Sequence, residues 1–308
     1  MGSGSRFTVL AVLALLAVPA TAAGGADRHA VERGRYLFDA AGCKGCHTDK
    51  KNKGAPLAGG RQIKTPFGSF FSPNITPHPE FGIGRWSGDD FRRALRWGIA
   101  PDGSHYFPVF PYTSFTWMTD GDIADLKAYL FSLPPVARPN RPHSVPPPFA
   151  WRFTVRWWKW LYFTPGPMRP EPGRDGQWNR GAYLVKALGH CAECHTPRDI
   201  LGGHKEGMFL AGSDEGPEGG AIPNITPDGE TGIGRWSKAD LKALFTMGML
   251  PDGDFAGAGM AEVVENTTGR LADGDLEAII VYLKTVPAVR HRINSGQNKE
   301  GKDDGADW

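Results

Sequence analysis

The chain of 308 residues carries 35 Lys and Arg against 33 Asp and Glu, a formal charge of +2, which offers no strong field to a phosphate backbone and sets nucleic-acid binding aside. Its 41 glycines and 26 prolines make up about a fifth of the residues, above the usual share of roughly 12%, yet 40% hydrophobic residues with 17 Phe, 10 Trp and 7 Tyr exclude a disordered or collagen-like chain. Single cores stop growing near about 250 to 300 residues, so the length fits one large unit or two of about 150.

In chain order, Arg6 precedes the apolar run Phe7 to Val18, then Pro19 and the small residues Ala20 to Gly25. That is the order of a secretory signal peptide. Twelve apolar residues fall short of the roughly 20 that a membrane-spanning helix needs, so residues 1–23 are expected to be removed. The mature chain is then expected in the periplasm, soluble or peripherally attached to the inner membrane. A helix bearing Arg33-Gly34 and Tyr36-Leu37 leads into Cys43-Lys44-Gly45-Cys46-His47, and a glycine and proline loop follows. Ser87 with Asp90 forms an S-x-x-D start signal for a helix ending near Gly98. Thr119 with Asp122 opens another, whose Ile123, Leu126, Leu130 and Leu133 recur at helical spacing.

Residues 134–177 form a linker with Pro134-Pro135, Pro146-Pro147-Pro148 and Trp151, Trp157, Trp158 and Trp160 interleaved with Arg152, Arg156 and Lys159. Such a segment suits peripheral membrane contact or docking. Its further apolar residues Phe149, Phe153, Leu161 and Phe163 favour packing across both halves.

After the linker the pattern returns. Arg180-Gly181 and Tyr183-Leu184 repeat the first helix at an offset of 147, and Cys191-Ala192-Glu193-Cys194-His195 repeats the cysteine motif at 148. Pro73-Asn74-Ile75-Thr76-Pro77 and Gly82-Ile83-Gly84-Arg85-Trp86-Ser87 recur as Pro223-Asn224-Ile225-Thr226-Pro227 and Gly232-Ile233-Gly234-Arg235-Trp236-Ser237 at 150, and Tyr129-Leu130 recurs as Tyr282-Leu283 at 153. Ordered matches with a small drift indicate a tandem duplication, not a solenoid of short repeats. The expected fold is all-α: two units, 24–133 and 178–290, joined by the 134–177 linker and followed by the polar tail 291–308.

Both cysteine motifs read C-x-x-C-H and use every cysteine. Two thiols on one turn add to the two vinyl groups of a haem, and the adjacent histidine supplies the proximal imidazole. Cys43, Cys46, Cys191 and Cys194 are therefore the expected attachment points of two haem c groups, with His47 and His195 on iron. Two disulfides would leave both histidines without a role, a thioredoxin-like site needs one motif, and zinc needs both pairs to converge.

On these motifs, the Asn-Ile-Thr-Pro and Gly-Ile-Gly-x-Trp-Ser blocks, the Pro-Asp-Gly turns at Pro101 and Pro251 and the Tyr-Leu terminal helices, the sequence resembles diheme members of the class I type cytochrome c superfamily. It is similar in particular to the cytochrome c subunits of periplasmic alcohol, aldehyde and gluconate dehydrogenases. In those subunits a methionine within Ala-Met-Pro-Tyr is the sixth ligand. Nine residues past Pro251 this chain has Met260, and nine past Pro101 it has Phe110. Met260 is the expected sixth ligand of haem 2. Met118 is expected on haem 1, with His105 and then His78 as alternatives. Arg85 and Arg235 are candidate propionate partners, because guanidinium matches a carboxylate. Asn74 and Asn224 suit an Asx turn better than a propionate contact. The resemblance implies an electron carrier between a dehydrogenase-type donor and a terminal oxidase or small redox carrier. A diheme peroxidase-like enzyme and a haem-based sensor are the rivals, the first because Phe110 stands where a ligand is expected.

Overall fold

The computed structural model describes residues 1–2, 24–216 and 220–294. The expected leader, beyond its first two residues, and the tail from residue 295 lie outside the described residues. The fold is mostly helical and is ordered by two helix crossings. In the first, α1 (Gly24–Ala40) lies against α5 (Asp120–Phe131); in the second, α7 (Gly176–Tyr183) lies against α11 (Asp273–Leu283).

Glycine permits both crossings. A Cβ at Gly34 would lie 1.9 Å from the Asp125 carbonyl oxygen, and one at Gly181 would lie 1.9 Å from that of Ala278. These are the glycines of the repeated Arg-Gly pairs. Arg33 clamps the first crossing through both Asp125 oxygens at 2.6 and 3.0 Å, and Arg180 clamps the second through Asp275 at 2.8 and 2.6 Å.

The expected helix starts are present. α3 (Gly88–Trp97) and α9 (Lys238–Met247) each begin at a reciprocal box, Ser87 with Asp90 and Ser237 with Asp240, and each ends on a left-handed glycine, Gly98 or Gly248. Thr119 caps α5 by accepting from the Asp122 amide. Ile123, Leu126 and Leu130 on α5, and Leu276, Ile279, Ile280 and Leu283 on α11, are buried as their spacing requires.

One departure from an all-α arrangement is an antiparallel hairpin, β1 (Gln62–Thr65) with β2 (Gly68–Phe71). Its cause lies in the linker: Ser69 and Ser144 exchange both backbone hydrogen bonds at 2.8 Å, so the returning chain pairs with β2 and satisfies an otherwise open edge. The partner is some seventy residues away, beyond the reach of local pattern.

The drift from 147 to 148 also has a physical form. The helix after Tyr183 widens into a π-turn at Leu184–Leu188, the usual way a helix absorbs one extra residue, and so Cys191 remains at the mouth of its helix. Within residues 134–177 the chain forms α6 (Arg152–Tyr162). One face of α6 bridges the two halves: Lys159 Nζ donates to the carbonyls of Trp97 and Gly98 at 2.6 and 2.8 Å, while Trp158 Nε1 donates to the Leu201 carbonyl at 2.9 Å. The opposite face leaves Trp157 and Trp160 68% and 78% exposed. No described helix is long and apolar enough to cross a membrane.

The two crossings meet through reciprocal tyrosines. Tyr36 on α1 donates to Asp275 at 2.6 Å and accepts from the Ala272 amide at the start of α11. Tyr183 on α7 donates to Asp122 and accepts from the Thr119 amide at the start of α5. Each tyrosine of the repeated Tyr-Leu pair thus caps the last helix of the other half. Replacing both with phenylalanine is expected to remove about 3 kcal/mol at this junction, so that one cooperative thermal transition followed by circular dichroism divides into two. An unchanged single transition would show that the caps do not couple the halves.

Candidate haem centres

In each half the first helix delivers the chain to the C-x-x-C-H turn, which occupies α2 (Cys43–His47) and, in the second half, Cys191 with α8 (Ala192–His195). The residue before each first cysteine is left-handed, Gly42 at φ 61° and His190 at φ 38°, which reverses the chain between helix and motif. All four thiols are free of disulfides. Burial pushes Cys43 and Cys191 up to about 12 and Cys194 to about 11. Such neutral thiols are poor redox nucleophiles, and the described residues hold no cluster of His, Cys, Asp and Glu able to bind a metal ion.

The histidines decide between nitrogens. His47 Nδ1 lies 2.8 Å from the Pro73 carbonyl oxygen, and His195 Nδ1 lies 2.8 Å from that of Pro223. A carbonyl only accepts, so Nδ1 carries the proton and the Nε2 lone pair is free for iron. Burial holds both imidazoles below the usual histidine range, in the neutral form a ligand needs. The donor set of each motif therefore fits a covalently held haem: two thiols and one oriented imidazole.

This geometry gives the repeated Pro-Asn-Ile-Thr-Pro block a purpose. Asn74 Oδ1 accepts from the Thr76 amide at 2.9 Å and the Thr76 hydroxyl at 2.7 Å, and Asn224 does the same with Thr226 at 2.8 and 2.7 Å. The buried Asx turn fixes the preceding proline carbonyl where the histidine requires it. Both asparagines are turn formers, spent on backbone.

The two motifs also face each other's half. Arg61 donates to the Gly45 carbonyl at 2.8 Å and to Glu262 at 2.7 and 2.8 Å, joining the first motif to α10 (Ala258–Asn266). Glu193, inside the second motif, accepts from Thr113 at 2.7 Å and Ser114 at 3.0 Å on α4 (Tyr112–Phe115), and pairs with Arg198 at 2.5 Å. Burial works to raise the Glu193 carboxyl, but Arg198, His204 and the Thr113 hydroxyl together bring it below its ordinary value. Glu193 and Glu262 carried no signal in the sequence: Glu193 fills a variable position of its motif, where the first half has Gly45, and Glu262 belongs to no repeated block.

A cytochrome c family model matches residues 31–134. A diheme cytochrome c-type protein of Cereibacter sphaeroides is 44% identical over 266 residues, covering 83% of this chain and 86% of that protein. The chain belongs to the cytochrome c family. The fructose dehydrogenase cytochrome subunit of Gluconobacter japonicus is 40% identical over 274 residues and the gluconate 2-dehydrogenase cytochrome c subunit of Pantoea cypripedii 38% over 289. This cytochrome covers 55% and 64% of those two subunits. Membership implies covalently bound haem c and a role in electron transfer.

The remaining expected site residues of this cytochrome are placed as follows. Met260 is half-buried in the first turn of α10 and packs against the core. Arg85 and Arg235 are exposed at equivalent positions just before their helix caps. Met118 has no exposed surface. It immediately precedes the α5 cap Thr119, and Ile123 in the same core cluster is only 3% exposed. That is the hydrophobic staple, in which the residue before a cap meets the fourth residue of the helix. Among the alternatives, His105 Nδ1 lies 3.0 Å from the Lys159 ammonium, and His78 Nδ1 accepts from the amides of Glu80 and Phe81 at 3.2 and 3.1 Å.

Proposed function

We propose that this protein is a periplasmic diheme cytochrome that carries electrons from a dehydrogenase-type donor to a respiratory acceptor, either a terminal oxidase or a small redox carrier. Residues 24–133 and 178–290 are then tandem haem units, and 134–177 is their linker. One observation carries it: both C-x-x-C-H histidines present the same protonated Nδ1 to a proline carbonyl, on motifs each tied by hydrogen bonds to the other half of the chain. Haem c, when attached, supplies a reversible one-electron couple at its iron.

The chain's own residues do the rest. Cys43 and Cys46, and Cys191 and Cys194, fix the two porphyrins. His47 and His195 would hold the irons through Nε2, and the carbonyls of Pro73 and Pro223 would make each imidazole a stronger donor. Met260 would supply a thioether to haem 2, a ligand that would raise its potential. Arg85 and Arg235 are placed to meet propionates. Arg61, Glu262, Glu193, Thr113 and Ser114 hold the two attachment turns in a fixed relation, so the path between haems is set by folded structure.

The test is rapid mixing of the oxidised holoprotein with a quinoprotein alcohol dehydrogenase and ethanol. Haem reduction within the turnover time of the enzyme, followed by reoxidation on addition of a small c-type cytochrome, is expected. Met260→Ala should lose the sulfur-to-iron absorption band and lower the potential of one haem. No reduction by the dehydrogenase, together with sustained peroxide consumption, would overturn the carrier in favour of a peroxidase.

A further inference from the structure

We infer that haem 1 carries no sixth ligand from the protein, its distal side being closed by the Phe110 ring, and that this iron is a binding site for small neutral diatomic ligands such as carbon monoxide. The inference rests on the two-haem reading above.

Hydrogen bonds define which positions of the two halves are equivalent. After Gly98, the Ala100 amide donates to the Ser104 carbonyl and the Tyr106 amide to Gly98, each at 2.8 Å; after Gly248, the Leu250 amide donates to Asp254 and the Ala256 amide to Gly248, each at 2.8 Å. Tyr106 and Ala256 are therefore equivalent. Four residues beyond each lie Phe110 and Met260. The position that offers a thioether to haem 2 offers a phenyl ring to haem 1.

Met118 cannot make up the difference. Its amide donates to the Phe115 carbonyl at 3.0 Å, as the Leu271 amide donates to Thr268 at 3.2 Å, and the two precede the equivalent caps Thr119 and Ala272. The counterpart of Met118 is thus leucine, a residue with no donor atom. An iron ligand must also border the space that the porphyrin takes. His47, Cys43 and Met260 all keep accessible surface, whereas Met118 is 0% exposed. Both observations assign it to packing.

Of the histidines near the first motif, His190 bonds to the Ala41 backbone and packs edge-on against Phe115 with ring centroids at 5.6 Å, and the others are turned to fixed donors. His78 and His105 receive hydrogen bonds at Nδ1 from obligate donors, and so does His143, from the Phe71 amide at 3.2 Å. With Nδ1 accepting, each neutral ring carries its proton on Nε2 and has no free lone pair for iron. Around Phe110 stand Tyr106, Phe115 and Tyr112, with ring centroids at 5.5, 5.8 and 6.3 Å. An aromatic wall of this kind penalises an anion, which would lose its hydration, and admits a small uncharged ligand.

The experiment is carbon monoxide titration of the dithionite-reduced holoprotein, with haem counted on the same sample as the pyridine haemochrome. Two haems and one carbon monoxide per chain are expected. Phe110→Met should reduce uptake to none and create a second sulfur-to-iron band; Met260→Ala should raise it to two. Phe110→Leu, which offers no donor, should keep uptake at one and guards against a Phe110→Met chain that fails to fold. Met118→Leu should leave the spin state and the uptake unchanged. Two haems with no carbon monoxide bound, or a low-spin haem that becomes high-spin in Met118→Leu, would overturn the inference while leaving the carrier intact. Fewer than two haems per chain would overturn both.

Discussion

Gly181→Ala is expected to lower the stability of the second half by about 3 kcal/mol or more, a fall in its melting temperature of roughly 12 to 24 °C for a unit of about a hundred residues. The new methyl would sit 1.9 Å from the Ala278 carbonyl oxygen, 2.6 Å from its carbon and 2.8 Å from the Tyr282 Cβ. None of these atoms is the free end of a flexible side chain, so the whole of α7 must retreat from α11. That retreat carries Tyr183 and Leu184 with it, and through the π-turn it moves Cys191. The expected readout is a melt of the haem 2 absorbance at lower temperature, with haem 1 less affected. Gly34→Ala should do the same to the first half, where the Asp125 carbonyl oxygen lies 1.9 Å from the same methyl. A loss below about 1 kcal/mol in both variants would mean that the crossings are looser than drawn.

Glu193→Ala is expected to cost about 3 kcal/mol, the range for removing one member of a largely buried charged pair. Its side chain is only 12% exposed, and its loss leaves the hydroxyls of Thr113 and Ser114 without their acceptor and Arg198 with backbone carbonyls alone. The pH dependence follows from the sign of the shift. The folded carboxyl lies below its ordinary value, so its contribution is fully present above the unfolded value near 4.3 and disappears as pH falls through the folded one. Between pH 6 and pH 3 the wild type should therefore lose its advantage over Glu193→Ala. A constant difference in denaturation midpoint across that range would remove the ionised carboxylate from the account. Because Glu193 ties the second motif to α4, the variant should also slow equilibration between the haems.

The residues explain why some of this was legible beforehand. The C-x-x-C-H spacing is local, so attachment chemistry could be read without a fold, and the family relationship agrees with it. Helix starts at Ser87, Thr119 and Ser237 were legible for the same reason: a cap is a bond across three residues. The hairpin was hidden because its edge partner, Ser144, arrives from the linker. The role of Met118 is not legible in sequence because a thioether serves equally well as a ligand and as a core residue, and its complete burial is a property of the folded chain.

The amino-acid sequence by itself determined the attachment motifs, the repeat and its drift, the helix caps and the substitution of Phe110 for methionine, since all of these are matters of residue identity and short spacing. Tertiary structure alone decided which nitrogen of each histidine is free, that Pro73 and Pro223 supply the carbonyls, that Tyr36 and Tyr183 cap each other's half, and that Glu193 anchors one motif on the other half. These are contacts between segments far apart in the chain. Whether a donor meets an acceptor depends on distances of a few ångströms that only packing sets.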